Sequence, residues 1–248
     1  MRSIAVFSVK GGVGKSALAV NLAHAAATLS ARRTLLWDLD TQGAATYTLR
    51  LAARGDLSAR KGIAEGELAP LIQASDFPAL DVLAADKSLR HLEKQLVEAE
   101  KARRLKKLIR AFDKDYDRVI LDCPPGLTEL ADQVFRAVDL LVVPMLPSPL
   151  SERAYAQLLD HLAKHHKWSP TGTAPAILPV FTMVDRRKAL HRDTIAAHPE
   201  RLCIPYAAAI EAMATTRLPV LVKSPTAPAA RALAALWTQV ERVLTKLA

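Results

Sequence analysis

Residues 7–23 read FSVKGGVGKSALAVNLA, and this stretch is the strongest indication of the fold class. An apolar run ends in a glycine-rich turn, and a helical pattern rich in alanine and leucine begins directly after the turn. Gly14, Lys15 and Ser16 stand as in the phosphate-loop pattern G-x-x-x-x-G-K-[ST], which requires a strand before the loop and a helix after it. The stretch therefore predicts a phosphate-binding loop, and this context disfavours the alternative of a merely tight turn.

The predicted loop offers both backbone groups and side chains to a nucleotide. Its glycines allow backbone angles closed to other residues and a close approach of phosphate oxygens. Successive N–H groups and the positive end of the following helix attract anions. Lys15 would reach the β- and γ-phosphates, and Ser16 would offer its hydroxyl to Mg²⁺. The predicted nucleotide-binding residues are Gly11, Gly12, Val13, Gly14, Lys15, Ser16 and Ala17.

Three aspartates follow the ends of apolar runs. Asp122 ends VILD before the turn CPPG, and Asp38 and Asp40 lie in LLWDLDTQGAAT. Ligands of open parallel sheets bind beyond the carboxyl ends of the strands, so Asp122 is expected near the phosphates as a magnesium ligand. One carboxylate of Asp38 and Asp40 near Mg²⁺ and the other near an attacking water would fit a hydrolase. The alternatives are a turn-capping Asp122 and two solvated acids on a surface turn.

The rest of the chain alternates short apolar runs with longer helical patterns. Continuously apolar runs are typical of parallel strands covered on both faces, and the alternation predicts right-handed crossovers. The predicted class is α/β, a single doubly wound, mostly parallel sheet with helices on both faces, in one domain over residues 1–248. The predicted strands are 3–9, 34–40, 80–85, 117–125, 139–145, 176–184 and 201–205. Besides the helix after the loop, helices are predicted over 87–112 and 228–247.

The chain has 248 residues, and its 34 Lys and Arg against 25 Asp and Glu give a net charge of +9. This excess favours polyanionic partners such as nucleic acid, anionic lipid or nucleotide, although a basic surface can serve solubility alone. Cys123 and Cys203 belong to no C-x-x-C pair and are predicted to be buried thiols in a reducing compartment. With neither a signal peptide nor a run of 18 apolar residues, the protein is expected to be cytoplasmic.

Three motifs, KGGVGKS at 10–16, DLDTQGAAT at 38–46 and ILDCPPG at 120–126, closely resemble those of the ParA/MinD family of deviant Walker ATPases. The likeness continues through FTMVDRR, IPYAAAIEAM and RLPVLVKSPTAPAARALAALW, so it covers essentially the whole chain. Within the family, the chain looks more like ParA-type positioning ATPases than like MinD or the nitrogenase iron protein. Thr41 and Ala44 depart from the proline and asparagine that are common at these places in the family.

This resemblance implies a nucleotide-sandwich homodimer that holds ATP and Mg²⁺. Lys10 would reach across the dimer to the partner's nucleotide, where an extra cation stabilises charge on the γ-phosphate and makes hydrolysis depend on dimerisation. Asp40 would orient or activate the attacking water, so that Lys10 and Asp40 are the implied catalytic residues. Asp38 and Asp122 would lie at the Mg²⁺ shell with Ser16, and Asp38 would also link the site to the switch region.

ParA-like proteins bind DNA without sequence specificity as ATP dimers, and such binding requires phosphate contacts rather than base readout. In VDRRK, Arg186 could equally order the nucleotide pocket, and the basic cluster at 100–110 is more typical of a solvated helix face. The candidate DNA-binding residues are Arg186, Arg187, Lys188, Arg217, Lys223 and Arg231.

The implied function is that of a nucleoid-associated ATPase that positions or segregates a cargo. The cargo could be a plasmid, a chromosome, a chemotaxis cluster or a protein microcompartment such as a carboxysome. A cargo adaptor protein, ParB-like or equivalent, would stimulate ATP hydrolysis and so release the ATPase from DNA. The resemblance does not name the cargo or the adaptor.

The main alternative is a MinD-like membrane-associated ATPase that regulates division-site placement, which requires an amphipathic C-terminal helix. The apolar stripe of 228–247 is more typical of a helix packed on its own core, so membrane binding is not expected. A metal-cluster carrier would need cysteines placed for a shared cluster, and the intact lysines and acids oppose a non-hydrolysing scaffold. The stripe consists of Leu233, Leu236, Trp237, Val240, Val243, Leu244 and Leu247.

Overall fold

The computed structural model describes residues 1–53, 67–86, 104–166, 168 and 175–247. The strands are β1 (Arg2–Val6), β2 (Thr34–Asp38), β3 (Ile72–Ala74), β4 (Leu80–Leu83), β5 (Arg118–Asp122), β6 (Leu140–Met145), β7 (Ala176–Val184) and β8 (Cys203–Pro205). The helices are α1 (Lys15–Leu29), α2 (Ala44–Thr48), α3 (Arg104–Ala111), α4 (Glu129–Ala137), α5 (Pro149–His166), α6 (Ala189–Ala197), α7 (Ala208–Glu211), α8 (Met213–Thr216), α9 (Val220–Lys223) and α10 (Pro228–Lys246). A short 3₁₀ turn, Ala69–Leu71, precedes β3.

The strands form one eight-stranded sheet in the order β3-β4-β2-β5-β1-β6-β7-β8. Neighbouring strands are parallel throughout except for β3 and β4, which pair antiparallel at one edge. The predicted α/β class with a mostly parallel sheet is confirmed. The short edge strand β3 was not predicted, because three residues carry too little periodicity to stand out from a loop.

Helices cover both faces of the sheet, which explains the continuously apolar strands. In β1 and just beyond it, Ala5 and Phe7 belong to the core shared with α3, α4 and α5, whereas Ile4 and Val6 belong to the core shared with α1 and α10. Successive side chains of a strand point to opposite faces, so both faces of a sandwiched strand must be apolar.

The C-terminal helix α10 packs on the core of its own chain. Leu236 and Val240 are fully buried, and the Trp237 indole N–H donates to the Ser30 hydroxyl at 2.8 Å. Arg118 of β5 forms two hydrogen bonds with Glu241, at 2.7 and 2.9 Å, which fasten this helix to the sheet. The predicted apolar stripe therefore faces protein except at Leu247, which is exposed just beyond the end of the helix. No helix within the described ranges is long and apolar enough to cross a membrane.

The predicted burial of the two cysteines and the predicted helix over 87–112 are each confirmed for only part of their residues. Cys123 is a buried free thiol as expected, but Cys203 is only half-buried, because it lies in β8 at the edge of the sheet, where neighbours cover one side alone. Of the helix predicted over 87–112, the structure bears out 104–111, and 87–103 lie outside the described residues.

Candidate functional site

The phosphate loop and the aspartates meet at one edge of the sheet. β1 pairs with β5 and β5 pairs with β2, and the register aligns Val6 with Asp122 and Asp122 with Asp38. Asp122 and Asp38 are the last residues of their strands, and both side chains are fully buried. The loop leaves β1 directly after Val6, so parallel pairing alone brings it next to both acids, as the sequence predicted.

The loop has the backbone of an anion site. Gly12 and Gly14 have φ values of 73° and 82°, which side-chain-bearing residues rarely adopt, whereas Gly11 does not lie in this left-handed region. α1 begins at Lys15 without a side-chain cap or an acidic residue in its first turn, so its free N–H groups point to the loop. Val13, in the middle of the loop, is buried.

Lys15 lies in the site as a sheltered cation. Its side chain is 7% exposed, and its ammonium group donates to the Lys10 carbonyl at 3.4 Å. Burial lowers the pKa of Lys15, and the nearby charges of Asp122 and Asp40 act in the opposite direction. The ammonium group therefore faces two carboxylates, where it can neutralise a triphosphate that enters the loop.

Asp122 has the environment of a cation ligand. Among the described residues, neither of its buried carboxylate oxygens has a well-formed hydrogen bond, although the Ser16 hydroxyl faces the group and lowers its pKa. Burial, followed by the charge of Asp38, raises the pKa of Asp122 well above its ordinary value. Such an acid is costly unless a cation joins it. The oxygen donors of Ser16 and Asp122 fit Mg²⁺, a hard cation that prefers oxygen.

Asp38, unlike Asp122, accepts several hydrogen bonds from its own chain. Its Oδ2 accepts hydrogen bonds from the Thr46 N–H at 2.9 Å and the Thr46 hydroxyl at 2.7 Å, and its Oδ1 accepts from the Asp40 N–H at 3.2 Å. Burial raises the pKa of Asp38 to about 6, and these hydrogen bonds oppose the rise. Asp38 thus holds α2 beside the site. Thr46 did not stand out from the sequence, although the motif DLDTQGAAT ends there.

Asp40 and Lys10 occupy the open side of the site. Asp40 is half-buried, and its Oδ1 accepts a hydrogen bond from the Gln42 N–H at 3.0 Å. Lys10 is half-buried too, and its ammonium group makes no hydrogen bond or ion pair within the described part of the chain. The structure therefore brings Lys15, Asp40 and the buried acids together, whereas Lys10 contributes only its carbonyl to this group.

An apolar recess adjoins the loop. Its lining includes Ala17 of α1, Thr182 and Met183 of β7, and Ile204 and Ile210 from the segment IPYAAAIE. The Thr182 hydroxyl donates to the Val13 carbonyl at 2.9 Å and so anchors the loop. Thr182 and Met183 are further site residues, which the motif FTMVDRR contains but does not mark out.

A local irregularity of β7 aims these side chains at the loop. Met183 has a φ of 52°, and the pairing of β7 with β8 shifts register between Phe181 and Val184. Irregular strand pairing of this kind is common beside binding sites, where it redirects a side chain. No sequence pattern announces it, because the shift depends on how two strands pair.

The candidate DNA-binding residues lie in two groups. Arg186, Arg187 and Lys188 form an exposed loop between β7 and α6, where the Arg187 guanidinium pairs with both oxygens of Asp185 at 2.8 and 2.9 Å. The side-chain hydrogen bonds from Arg187 hold the pKa of Asp185 well below its ordinary value. The second group follows along the chain: Arg217, Lys223 at the end of α9 and Arg231 in the first turn of α10.

In the second group, Lys223 and Arg231 are exposed and Arg217 contacts α2. The Arg217 Nε donates to the Tyr47 carbonyl at 2.8 Å, and its guanidinium lies 4.4 Å from the centre of the Tyr47 ring. Since Thr46 of the same helix holds Asp38, the five residues of α2 connect the buried acid to a candidate DNA-binding residue.

Comparisons with known proteins agree with this geometry. A family model described as an AAA domain matches residues 1–170. The chromosome partitioning protein ParA of Caulobacter vibrioides is 31% identical over 197 residues, which are 77% of this chain and 72% of that protein. The structure resembles an ATP complex of a Cyanothece McdA variant with a TM-score of 0.84 at 17% identity, over 99% of this chain and 96% of that one.

It also resembles the septum site-determining protein MinD of Pyrococcus horikoshii complexed with Mg-ADP, with a TM-score of 0.78 at 20% identity, over 100% of this chain and 98% of that one. The structural similarities establish the shared fold, and the family match and the identity to ParA establish kinship. The phosphate loop between β1 and α1, with the paired acids beside it, is where the nucleotide of such proteins is expected. The chain belongs to the ParA/MinD family of P-loop ATPases.

Proposed function

We propose that the protein is a ParA-type positioning ATPase. It binds ATP with Mg²⁺, dimerises around the nucleotides, binds nucleoid DNA without sequence specificity and is released when a cargo adaptor stimulates hydrolysis. Residues 1–248 act as one domain in the cytoplasm. The cargo is a plasmid, a chromosome, a chemotaxis cluster or a protein microcompartment. The observation that carries the proposal is the meeting of the phosphate loop with Lys15, Asp122 and Asp38 at one sheet edge.

Each part of the nucleotide has a matching group in the site. The N–H groups of the loop and α1 bind phosphate oxygens, and Lys15 neutralises the β- and γ-phosphates. Ser16 and Asp122 would hold Mg²⁺, with Asp38 beside them, and a bound Mg²⁺ would supply positive charge against the phosphates. Asp40 orients water on the open side. The apolar recess beside Thr182 receives the base.

The unpaired ammonium group of Lys10, among the residues that the structure describes, supports dimerisation around the nucleotide. A cation that satisfies no described group of its own chain is available to a second chain, whose nucleotide presents a concentrated negative charge. We infer that Lys10 completes the site of the partner, so that hydrolysis requires two subunits.

The helix α2 offers a route from the nucleotide to DNA. A change at Asp38 alters its hydrogen bonds with Thr46, and the same helix carries the Tyr47 carbonyl that Arg217 contacts. We infer that a γ-phosphate beside Asp38 would move α2 and thereby the basic group around Arg217. Such a movement would make the proposed DNA binding depend on ATP.

The described surface favours DNA over a membrane. Most of the apolar stripe of α10 packs on the core, and only Leu247 at its end is exposed, so the helix offers no broad apolar face to lipid. The exposed basic residues, in a chain of net charge +9, suit the phosphate backbone of DNA, which requires no base readout.

DNA binding is expected to require ATP and to fall steeply as salt is added, because each phosphate contact releases counterions. Reversing two charges with Arg187→Glu and Lys223→Glu should weaken binding and lower the slope of log affinity against log salt by about two. ATP affinity should not change. Fluorescence anisotropy with unrelated duplexes across a salt series measures both quantities.

The matched control reverses Arg242 and Lys246, which are exposed near the end of α10 and outside the candidate group. This control has the same net charge as the Arg187→Glu, Lys223→Glu variant. If it binds DNA like the parent protein, the loss in the first variant comes from local contacts and not from the lower overall charge. The proposal is wrong if the ATP-bound protein ignores DNA at low salt, or if anionic vesicles bind it instead.

Replacing Asp40 by alanine is expected to leave ATP binding and dimerisation intact while slowing hydrolysis by about 100-fold or more, as loss of a positioned acid or base does. The trapped dimer should be visible by size-exclusion chromatography with Mg²⁺-ATP. Asp193→Ala, at an exposed acid of α6, is the control. An unchanged steady-state ATPase rate in the Asp40 variant would remove Asp40 from the catalytic set.

A further inference from the structure

Three side chains that can bind metal converge on the face of the sheet covered by α4 and α5. Asp132 lies in α4, and His161 and His166 lie in the last turns of α5. Both histidine Nε2 atoms lie 2.7 Å from the same oxygen, Asp132 Oδ1. The three ligand atoms all lie within 4.8 Å of one another.

The two imidazole rings are held in place by packing. The Phe135 ring makes edge contacts with both imidazoles, and its centre lies 5.6 Å from the centre of the His166 ring and 6.1 Å from that of the His161 ring. The side chains of Asp132, His161 and His166 are 25, 20 and 4% exposed, so the cluster is sheltered but within reach of solvent. The His165 ring lies beside the His161 ring, with 4.6 Å between the two ring centres.

The hydrogen bonds of the cluster show which protons a metal ion would replace. An ionised carboxylate only accepts hydrogen bonds, so each imidazole Nε2 donates a proton to Asp132 Oδ1. Metal ligands must be deprotonated, so a bound cation would displace both of these protons and join the same three atoms.

Two of the three distances between the ligand atoms are close to those of a coordination shell, and the third is at most 4.8 Å. Metal–ligand bonds of about 2.0–2.2 Å at tetrahedral angles separate the ligand atoms by about 3.3 Å. The two oxygen–nitrogen distances of 2.7 Å need therefore to open by only about 0.6 Å, which small side-chain rotations achieve. Two imidazoles and one carboxylate suit zinc, cobalt or nickel, whereas Mg²⁺ and Ca²⁺ prefer oxygen alone.

We propose that Asp132, His161 and His166 bind a divalent transition cation, zinc foremost, which crosslinks α4 to the end of α5. This site is separate from the nucleotide site. His166 lines a polar cavity together with Asp139 and Pro175, just before β6 and β7 begin, at the edge of the sheet opposite the phosphate loop. The crosslink stabilises the packing of α4, the helix that follows the Asp122 strand, against α5.

The test uses the full chain, stripped with EDTA and free of nucleotide. Zinc titration by calorimetry, with bound metal measured after gel filtration, should show one equivalent per chain and a higher Tm. His161→Gln and Asp132→Asn should each lower zinc affinity at least about tenfold. Mutation of a residue that merely hydrogen-bonds to a metal ligand already lowers metal affinity by about 10–100-fold. His165→Gln, at the adjacent ring outside the ligand set, should bind zinc like the parent protein.

Asp122→Asn should also retain zinc binding, because Asp122 belongs to the proposed magnesium site and not to the histidine cluster. The proposal is overturned if the parent chain takes up no stoichiometric zinc, or if His161→Gln and Asp132→Asn bind it equally well. A second measurement needs no variant: cobalt added to the parent protein should give the intense visible bands of a four- or five-coordinate site, and zinc should abolish them. Absent bands would reduce the cluster to a hydrogen-bonded contact between two helices.

Discussion

Lys15→Ala is expected to reduce ATP affinity by at least about 100-fold. A hydrogen bond to a charged group contributes about 1.5–3 kcal/mol, and the variant loses at least one such contact with the phosphates. The loss is larger than this contact alone, because Asp122 and Asp40 now face the triphosphate without the cation between them. Titration with a fluorescent ATP analogue in the presence of Mg²⁺ measures the affinity.

Lys164→Ala is the matched control, because Lys164 is an exposed lysine near the end of α5 that pairs with Asp160. It should bind ATP like the parent protein. Normal nucleotide affinity in Lys15→Ala would show that the loop between β1 and α1 is not the phosphate site, and the proposed function would fall with it.

Lys10→Ala is expected to retain ATP binding, because Lys15 and the loop N–H groups remain. The variant should dimerise poorly, and its hydrolysis should fall by about 1,000-fold or more, the size of effect seen when a cation donated to the transition state is removed. A role within its own chain predicts the reverse, weak nucleotide binding with dimerisation lost as a consequence. Nucleotide titration and size exclusion with Mg²⁺-ATP separate the two patterns.

Mixing Lys10→Ala with Asp40→Ala decides between the two roles. In a mixed dimer, the intact Lys10 of the Asp40→Ala subunit faces the site of the other subunit, which retains a working Asp40. Partial recovery of ATPase activity demonstrates donation across the interface. If mixed dimers form and activity stays absent, Lys10 is a local structural residue and the sandwich mechanism loses its basis.

The fold class and the centre of the proposed nucleotide site follow from the amino-acid sequence alone. Parallel strands covered on both faces are continuously apolar, and their carboxyl ends lie at one edge, so acids that end such runs are expected near the loop. For this reason the positions of Lys15, Ser16, Asp38 and Asp122 follow from local patterns, and the register of β1, β5 and β2 agrees with them.

The two buried acids differ in their surroundings only because of tertiary packing. Asp38 and Asp122 end equivalent strands, but Thr46 satisfies Asp38, whereas no described residue satisfies Asp122 in the same way. Folding also places the stripe of α10 against the core and Arg217 against Tyr47, 170 positions away. Contacts between distant residues depend on how elements pack, which no local periodicity encodes.

The same limit applies to the histidine cluster. His161 and His166 are neighbours in sequence, but Asp132 lies 29 and 34 positions before them, and its role depends on the packing of α4 against α5. Sequence patterns determine which elements form and which of their ends meet. Packing determines which side chains face each other, because side-chain partners are set by distances and orientations in space.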